Sequence, residues 1–244
     1  MKKTVGILLA FCLFWLSVSM TNVYAAPEVS AEAVVLMEAA TGVVLYEKDA
    51  REMRSMASTT KIMTTLLTIE DAMKNNDLDR EFQVDNAAIH VEGSSMGLQE
   101  NDIVTKRALC YGMLLPSGND AANAAAVAVA GSIPDFAVLM NQRAQEIGMT
   151  ATHFVTPSGL EGEGHGASAY DMALLAREAM RNELFRSICC EQSAKVCFGN
   201  PPYERTLYNS NKLLAMYEGT IGIKTGFTDE AGRCLVSACE RDGV

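Results

Sequence analysis

The chain has β-rich stretches near both ends and helical patterns between them. Residues 32–47 contain two runs of β-forming residues split at Thr41-Gly42, which predicts a β-hairpin. Residues 194–198, 220–227 and 233–240 have the composition of strands. A helical insertion between β-rich ends indicates an α+β fold, with an antiparallel sheet that both ends of the chain build.

Several helices are predicted between these ends. The first begins at Ser58 and has a wide apolar stripe at helical spacing, so most of its sides should be buried. The stripe consists of Ile62, Met63, Leu66, Leu67, Ile69 and Met73. Further helices are expected over residues 104–115, 121–130, 134–147, 169–181 and 211–217. We interpret residues 76–182 as a mainly helical subdomain.

Residues 1–25 have the pattern of a secretory signal peptide. Lys2 and Lys3 precede an apolar run, and Val23-Tyr24-Ala25 supplies the small residues that a cut before Ala26 needs. A retained membrane anchor is the alternative, although the run is short for a membrane span. We therefore expect an exported protein of the cell wall or membrane surface, whose folded domain covers residues 26–244.

The last residues predict an interrupted hairpin. Asp242-Gly243-Val244 has the composition of a turn, and no return strand follows it. We therefore expect the domain to be incomplete at its C-terminal end. Any membrane anchoring would depend on a segment beyond the present sequence.

The net charge and the spacing of the histidines and cysteines argue against several classes of binding partner. A net charge of −10 argues against nucleic acid or anionic lipid as a partner of the general surface. His90, His153 and His165 are scattered and no Cys-x-x-Cys occurs, so we expect no metal and no cofactor. The six cysteines after residue 25 match no small disulfide scaffold, and we favour mostly free, buried thiols.

Three short motifs contain groups that can do chemistry. Ser58-Thr59-Thr60-Lys61 places a hydroxyl and an amine one helical turn apart, on the same face. A serine is a useful nucleophile only when a neighbour accepts its proton, and burial or a second cation can make lysine that neighbour. Ser117-Gly118-Asn119 and Lys224-Thr225-Gly226 follow in order. Alone, each motif is also typical of a helix start or a strand end.

Together with their flanks, the motifs resemble the low-molecular-mass D-alanyl-D-alanine carboxypeptidases, the serine peptidases that trim peptidoglycan stem peptides. The resemblance rests on residues 56–61 (MASTTK), 114–122 (LLPSGNDAA), 209–214 (NSNKLL) and 222–228 (GIKTGFT). It implies the β-lactamase/transpeptidase-like fold of penicillin-recognising enzymes. In that fold an antiparallel sheet has helices on both sides, and the active site lies between the sheet and a helical subdomain.

The resemblance also implies three catalytic residues. Ser58 is the residue that becomes acylated, and Lys61 takes its proton. Ser117 relays a proton towards the leaving amine.

Five further residues are implied to bind the substrate. Asn119 holds the substrate amide, while Lys224 attracts the terminal carboxylate and Thr225 binds it through its hydroxyl. Gly226 completes the strand motif, and the Phe227 N–H forms the oxyanion hole with the N–H of Ser58.

Two residues depart from the family pattern. Met56 replaces a common proline before the nucleophile. Ser210 occupies a position that is arginine in some relatives, so recognition of the carboxylate would depend more on Lys224 and Thr225.

The implied activity is removal of the terminal D-alanine from stem pentapeptides, with β-lactam antibiotics as inhibitors. A β-lactamase and a D,D-endopeptidase of the same fold remain open. A third alternative is a penicillin- or muropeptide-binding protein that does not turn over.

Overall fold

A computed structural model describes residues 28–160 and 162–241. The expected signal peptide and the turn expected at residues 242–244 lie outside these ranges. From Glu32 onward the chain forms one compact unit.

Its strands are β1 Val34–Met37, β2 Val44–Lys48, β3 Phe82–Gln83, β4 Ile103–Val104, β5 Thr152–His153, β6 Gly166–Ala167, β7 Ser193–Phe198, β8 Tyr203–Tyr208, β9 Thr220–Thr228 and β10 Gly232–Cys239. Its helices are α1 Lys61–Asn75, α2 Asn86–Ile89, α3 Lys106–Leu114, α4 Asn119–Ala130, α5 Ile133–Ile147, α6 Ala169–Ala179, α7 Glu183–Cys189 and α8 Leu213–Met216, with a 3₁₀ turn at Ala57–Thr60 before α1.

The β-rich ends form two antiparallel hairpins. Strand β1 pairs with β2, and β9 pairs with β10, with Leu235 opposite Thr225. Each described strand pairs with one other strand in a two-stranded ladder, and Ala167 of β6 also forms a bridge with Arg54. Helix α6 packs against both β1 and β10, so it connects the two hairpins. The mixture of antiparallel strands and helices confirms the predicted α+β class.

Helix α1 lies at the centre of the core. It packs against α3, α4, α5, α6 and α7, and Ile62, Met63 and Ile69 are fully buried. The apolar stripe predicted this burial, but it was wrong for Met73, which is 65% exposed. The last turn of α1 extends past the core, and residues 73–76 are all exposed there.

The alanine-rich helix α4 packs closely against its neighbours. Ala121, Ala122 and Ala125 are fully buried, and α4 contacts α1, α3 and α5. Small side chains let helix axes approach each other, which brings the first turn of α4 close to the first turn of α1. That approach positions the functional groups described below.

Besides several elements of two to four residues, the sequence patterns missed one helix and one strand. Helix α7 has only seven residues, and Asn182 caps it by accepting a hydrogen bond from Phe185 N. Strand β8 is mostly polar and exposed, and Leu207 is its one buried residue. It is held by backbone pairing with β7, which leaves little trace in side-chain periodicity.

All six described cysteines are free thiols, as expected. The expectation that they are mostly buried is wrong. Cys110 and Cys189 are buried, Cys190 and Cys234 are partly exposed, and Cys197 and Cys239 are exposed.

Within the described ranges, no single helix has the length and apolarity needed to cross a membrane. The bent pair Asn119–Ala130 and Ile133–Ile147, at 84° to each other, meets the criterion together by length and composition only. Much of α4 lies in the core, as the buried alanines above show.

Two residues of helix α5, one buried and one exposed, allow a test of which side chains form the core. Phe136 is fully buried, whereas Val138, two residues later, is 54% exposed. We expect Phe136→Ala to lower the free energy of unfolding by about 3–5 kcal/mol, because it removes buried surface and leaves a cavity. Val138→Ala should change it by less than about 0.5–1 kcal/mol. Urea unfolding followed by circular dichroism would measure both, and equal effects would contradict the assigned core.

Candidate active site

The 3₁₀ turn that carries Ser58 runs directly into α1, whose first residue is Lys61. Lys61 Nζ, in its ammonium form, donates a hydrogen bond to Ser58 Oγ at 2.9 Å. Residues three apart on a helix share a face, so the motif's spacing accounts for this contact. The hydroxyl and the amine singled out in the sequence are therefore in hydrogen-bond contact.

Lys61 is fully buried and its amine has two other oxygen partners. Nζ lies 2.7 Å from Asn119 Oδ1 and 2.6 Å from the backbone oxygen of Ser158. Neither oxygen can donate a proton, so each accepts an N–H from the amine. A neutral amine has two N–H groups, and when both are used its lone pair is left to accept the proton of Ser58 Oγ.

The surroundings favour the neutral form of this amine. Burial is the main cause that lowers the pKa of Lys61 well below its usual range, and the positive charge of Lys224 lowers it further. The carboxylate of Asp120 acts in the opposite direction. Lys61 can therefore act as a base near neutral pH.

The orientation of Asn119 is fixed by the loop before α3. Its backbone N donates to Ser94 O at 2.7 Å, and its side-chain Nδ2 donates to Glu92 O at 2.7 Å. Because Nδ2 is held by a carbonyl, Oδ1 is the amide atom that faces Lys61.

Asp120 holds the same loop, and the sequence patterns did not single it out. Its buried carboxylate accepts hydrogen bonds from the backbone N of Met96, Gly97 and Leu98, at 2.9–3.0 Å, and from Ser95 Oγ at 2.6 Å. An acidic residue in the first turn of a helix is common, so no sequence signal separates this role from ordinary helix capping.

Ser117 lies between α3 and α4, in the left-handed region of backbone space with φ of 68°. It is buried, and its hydroxyl has no hydrogen-bond partner within the described part of the chain. The next residue must be glycine, because a Cβ on Gly118 would lie 2.8 Å from Met96 N and 3.1 Å from Gly112 O. This crowding fixes the path of the chain, and with it the position of Ser117.

Strand β9 approaches Ser58 through Gly226. A Cβ at this position would lie 3.0 Å from Ser58 N and 3.1 Å from Thr59 N, so a side chain would push the strand away. The next residue, Phe227, is 63% exposed. The backbone of β9 at Gly226 therefore packs against the 3₁₀ turn that carries Ser58.

Lys224 and Thr225 lie on the same strand. Lys224 is almost fully buried, and burial lowers its pKa to about 7. Its Nζ donates to Thr225 O at 2.9 Å. The hydroxyl of Thr225 is 2.7 Å from that of Ser210, so two hydroxyl groups lie together beside β9.

His165 orders the loop at residues 155–165, next to the 3₁₀ turn that carries Ser58. Its Nδ1 accepts a hydrogen bond from Val155 N at 2.9 Å, and its Nε2 lies 3.0 Å from Thr60 Oγ1. Burial lowers the pKa of His165 to about 4, so the ring is neutral at pH 7. The hydrogen bond to Nδ1 places the ring proton on Nε2, which then donates to Thr60.

The structure thus joins Ser58, Lys61 and Asn119 by hydrogen bonds and brings Gly226 against Ser58. Lys224 acts on Lys61 through its charge. The backbone oxygen of Ser158 completes the site, and sequence reasoning missed it because a carbonyl group is common to every residue.

The chain matches the D-alanyl-D-alanine carboxypeptidase family Peptidase_S11 over residues 20–244. It belongs to this family. It is 36% identical over 215 residues to the D-alanyl-D-alanine carboxypeptidase DacF of Bacillus subtilis, covering 88% of this chain and 55% of DacF. It is also 36% identical to DacB2 of Mycobacterium tuberculosis, covering 89% and 73% of the two chains. The chain thus spans about half the length of DacF.

Solved structures of the family have the same fold. The Streptomyces K15 DD-transpeptidase matches with a TM-score of 0.84 at 33% identity, over 90% of this chain and 88% of that one. The carboxypeptidase DacD of Francisella tularensis matches with a TM-score of 0.82 at 30% identity, over 93% and 68%. These matches confirm the transpeptidase-like fold that the three motifs implied.

Asp120 and Asp135 offer a matched pair, since each is an acidic residue in the first turn of a helix. We expect Asp120→Asn to lower the free energy of unfolding by about 2–3 kcal/mol, because an amide donor would face buried backbone N–H groups. It should also slow covalent labelling of the protein by penicillin, because Asn119 beside it contacts Lys61. Asp135→Asn, at an exposed position, should cost less than about 1 kcal/mol. Thermal unfolding and labelling rates would measure both, and unchanged labelling in Asp120→Asn would contradict its role in the site.

Proposed function

We propose that this chain is a serine-type D-Ala-D-Ala carboxypeptidase, which removes the terminal D-alanine of peptidoglycan stem pentapeptides through an acyl-enzyme on Ser58. The observation that carries the proposal is the environment of Lys61. Its amine contacts Ser58 Oγ at 2.9 Å, while two oxygens that cannot donate hold its N–H groups. Membership of the carboxypeptidase family supports the same reaction.

In the acylation step, Ser58 Oγ attacks the carbonyl carbon of the penultimate D-alanine, and its proton passes to Lys61 Nζ. A C–O bond forms and the carbonyl oxygen becomes negatively charged. The backbone N–H groups of Ser58 and Phe227 would stabilise that charge, since an oxyanion needs donors at the position where charge develops. Ser58 N lies in the first helical turn, where N–H groups have no intrahelical acceptor.

The leaving group is the terminal D-alanine. As the C–N bond breaks, its amine takes a proton that Ser117 relays, because the hydroxyl of Ser117 has no partner that competes for it in the described chain. Lys224 and Thr225 would bind the terminal carboxylate through a charge and a hydroxyl, and Asn119 the substrate amide. Water then hydrolyses the ester and releases the shortened peptide.

The N-terminal residues and the proposed reaction indicate where the enzyme would act and what would inhibit it. Residues 1–25 would direct export, so that the enzyme meets peptidoglycan outside the cytoplasm. β-Lactams would acylate Ser58 by the same route, which makes them inhibitors if the ester is slow to hydrolyse. Every step uses side chains and backbone groups of this chain.

Release of D-alanine from a pentapeptide ending in D-Ala-D-Ala tests the activity. We expect Ser58→Ala to reduce release by about 10⁴-fold, because it removes the nucleophile. Ser187→Ala should leave the rate unchanged, since that serine is exposed and bonds only Leu184 O.

Three other results would each replace the proposal by a different function. Penicillin labelling without release of D-alanine would indicate a binding protein. Rapid hydrolysis of penicillin would indicate a β-lactamase. Preferred cleavage of cross-linked dimers would indicate a D,D-endopeptidase.

The pH dependence of kcat/KM tests the roles of the two lysines. Activity should rise with pH as Lys61 loses its proton, since only the neutral amine accepts the proton of Ser58. It should fall above about pH 7, where Lys224 loses the charge that attracts the carboxylate. In Lys224→Arg the alkaline limb should disappear, because a guanidinium stays charged. If kcat/KM still falls near pH 7 in this variant, a group other than Lys224 causes the fall.

A further inference from the structure

Two adjacent thiols lie where helix α7 ends against strand β9. Cys189 is the last residue of α7 and Cys190 follows it as the C-cap. Their Sγ atoms lie 3.4 Å and 3.1 Å from the same acceptor, the backbone oxygen of Ile221. Both residues are free thiols. Two sulfur atoms therefore converge on one point of β9.

A third sulfur atom lies beside these thiols. Met180 Sδ is 3.7 Å from Cys189 Sγ. Two sulfur atoms that each bind one ion at about 2.3 Å are about 3.8–4.0 Å apart in tetrahedral or trigonal geometry, so this pair needs little movement to share an ion. Within the described ranges no three His, Cys, Asp or Glu side chains are placed to hold one metal ion, so the third donor here is a thioether.

The local packing holds the sulfur cluster, which consists of Met180, Cys189 and Cys190, and leaves it open to solvent. A Cβ on Gly222 would lie 2.7 Å from Cys189 Sγ, so a glycine is needed for β9 to lie against this thiol. Cys189 is buried, whereas Cys190 and Met180 are partly exposed. An ion can therefore reach the cluster from solvent without unfolding of the chain.

The donor atoms of the sulfur cluster suit a soft metal ion. Thiolate and thioether sulfurs favour Cu(I), whereas Mg²⁺ and Ca²⁺ prefer oxygen ligands. Closed zinc sites have four ligands of the thiolate, imidazole or carboxylate type. In the sulfur cluster only two donors can become anionic, and the third is a neutral thioether. A soft monovalent ion is the class that these three donors fit best.

We propose that Met180, Cys189 and Cys190 bind one soft monovalent metal ion of the Cu(I) class. Both thiol protons pass to solvent as two metal–thiolate bonds form, and no electron is transferred. The oxygen of Ile221 then loses the thiol protons that can bond to it, at the beginning of the strand that carries Lys224. The ion takes no part in the proposed peptidase reaction, and the site does not depend on that reaction.

Competition with a chelator tests this site. The chain is titrated without oxygen against the coloured Cu(I) complex of bathocuproine disulfonate, with ascorbate present to keep the copper as Cu(I). We expect the wild type to withdraw one Cu(I) per chain into this site. An excess of Zn(II) should not displace it, because the cluster lacks the four ligands that closed zinc sites use.

Variants assign the bound ion to the sulfur cluster. Cys190→Ser and Met180→Leu each remove one sulfur at a partly exposed position. Each should weaken Cu(I) binding by at least about 10-fold, since even the outer partners of metal ligands affect affinity by about 10–100-fold. Both changes nearly conserve side-chain size, and thermal unfolding checks that the fold is kept. Cys197→Ser removes an exposed thiol on β7 and should keep the wild-type affinity.

The outcomes are distinct. Weaker binding in Cys190→Ser and Met180→Leu, with wild-type binding in Cys197→Ser, supports the site. Equal affinity in the wild type and either cluster variant, no withdrawal of copper by the wild type, or displacement of Cu(I) by Zn(II) would each overturn it. The measurement does not use the peptidase reaction, so none of these results changes the standing of the proposed function.

Discussion

Lys61 and Lys224 are both buried in one site that excludes water. The arrangement around Ser58 depends on whether each of these amines is charged. Burial disfavours the charged form of each, and the charge of Lys224 makes Lys61 still harder to protonate. A single buried amine could find a carboxylate partner and stay charged. Here the nearest partners of Lys61 are a hydroxyl, an amide oxygen and a carbonyl oxygen. The site therefore tunes the basicity of Lys61 mainly by excluding water.

The same few residues link this electrostatic arrangement to the fold. Asn119 and Asp120 are neighbours at the start of α4, and both hold the loop at residues 92–98. Asn119 also contacts Lys61, and the charge of Asp120 raises the pKa of that lysine. The close packing of the alanine-rich helix α4 is thus a condition for the chemistry, since a shift of its first turn would move both residues.

Patterns within one segment predicted much of the fold. The β1–β2 hairpin, the buried face of α1 and the capped helix after Ser168 all have local causes: a glycine turn, a 3.6-residue period and a side-chain cap. The elements that were missed depend on neighbours, because α7 is short and β8 is held by backbone pairing to β7. Met73 fits the period of α1 but lies past the end of the core.

The candidate site was predictable to a similar degree. One-turn spacing was enough to pair Ser58 with Lys61, because the helix itself sets that distance. The carbonyl oxygens of Ser158, Glu92 and Ser94 left no signal, since only the tertiary fold decides which backbone oxygens face an amine. Asp120 looked like an ordinary helix cap for the same reason.

Among the described strands β9 pairs only with β10, and its other edge has a consequence for how a protein with this site can evolve. The groups along this edge of β9 are backbone N–H and C=O groups, and only a substitution to proline removes one of them. Substitutions can tilt or displace the strand, and at Gly226 even one methyl group would do so. Selection that excludes one acyl donor and retains another would therefore act mainly on the position of β9 or on the side chains beside it. A displacement of the strand would change the binding of both donors.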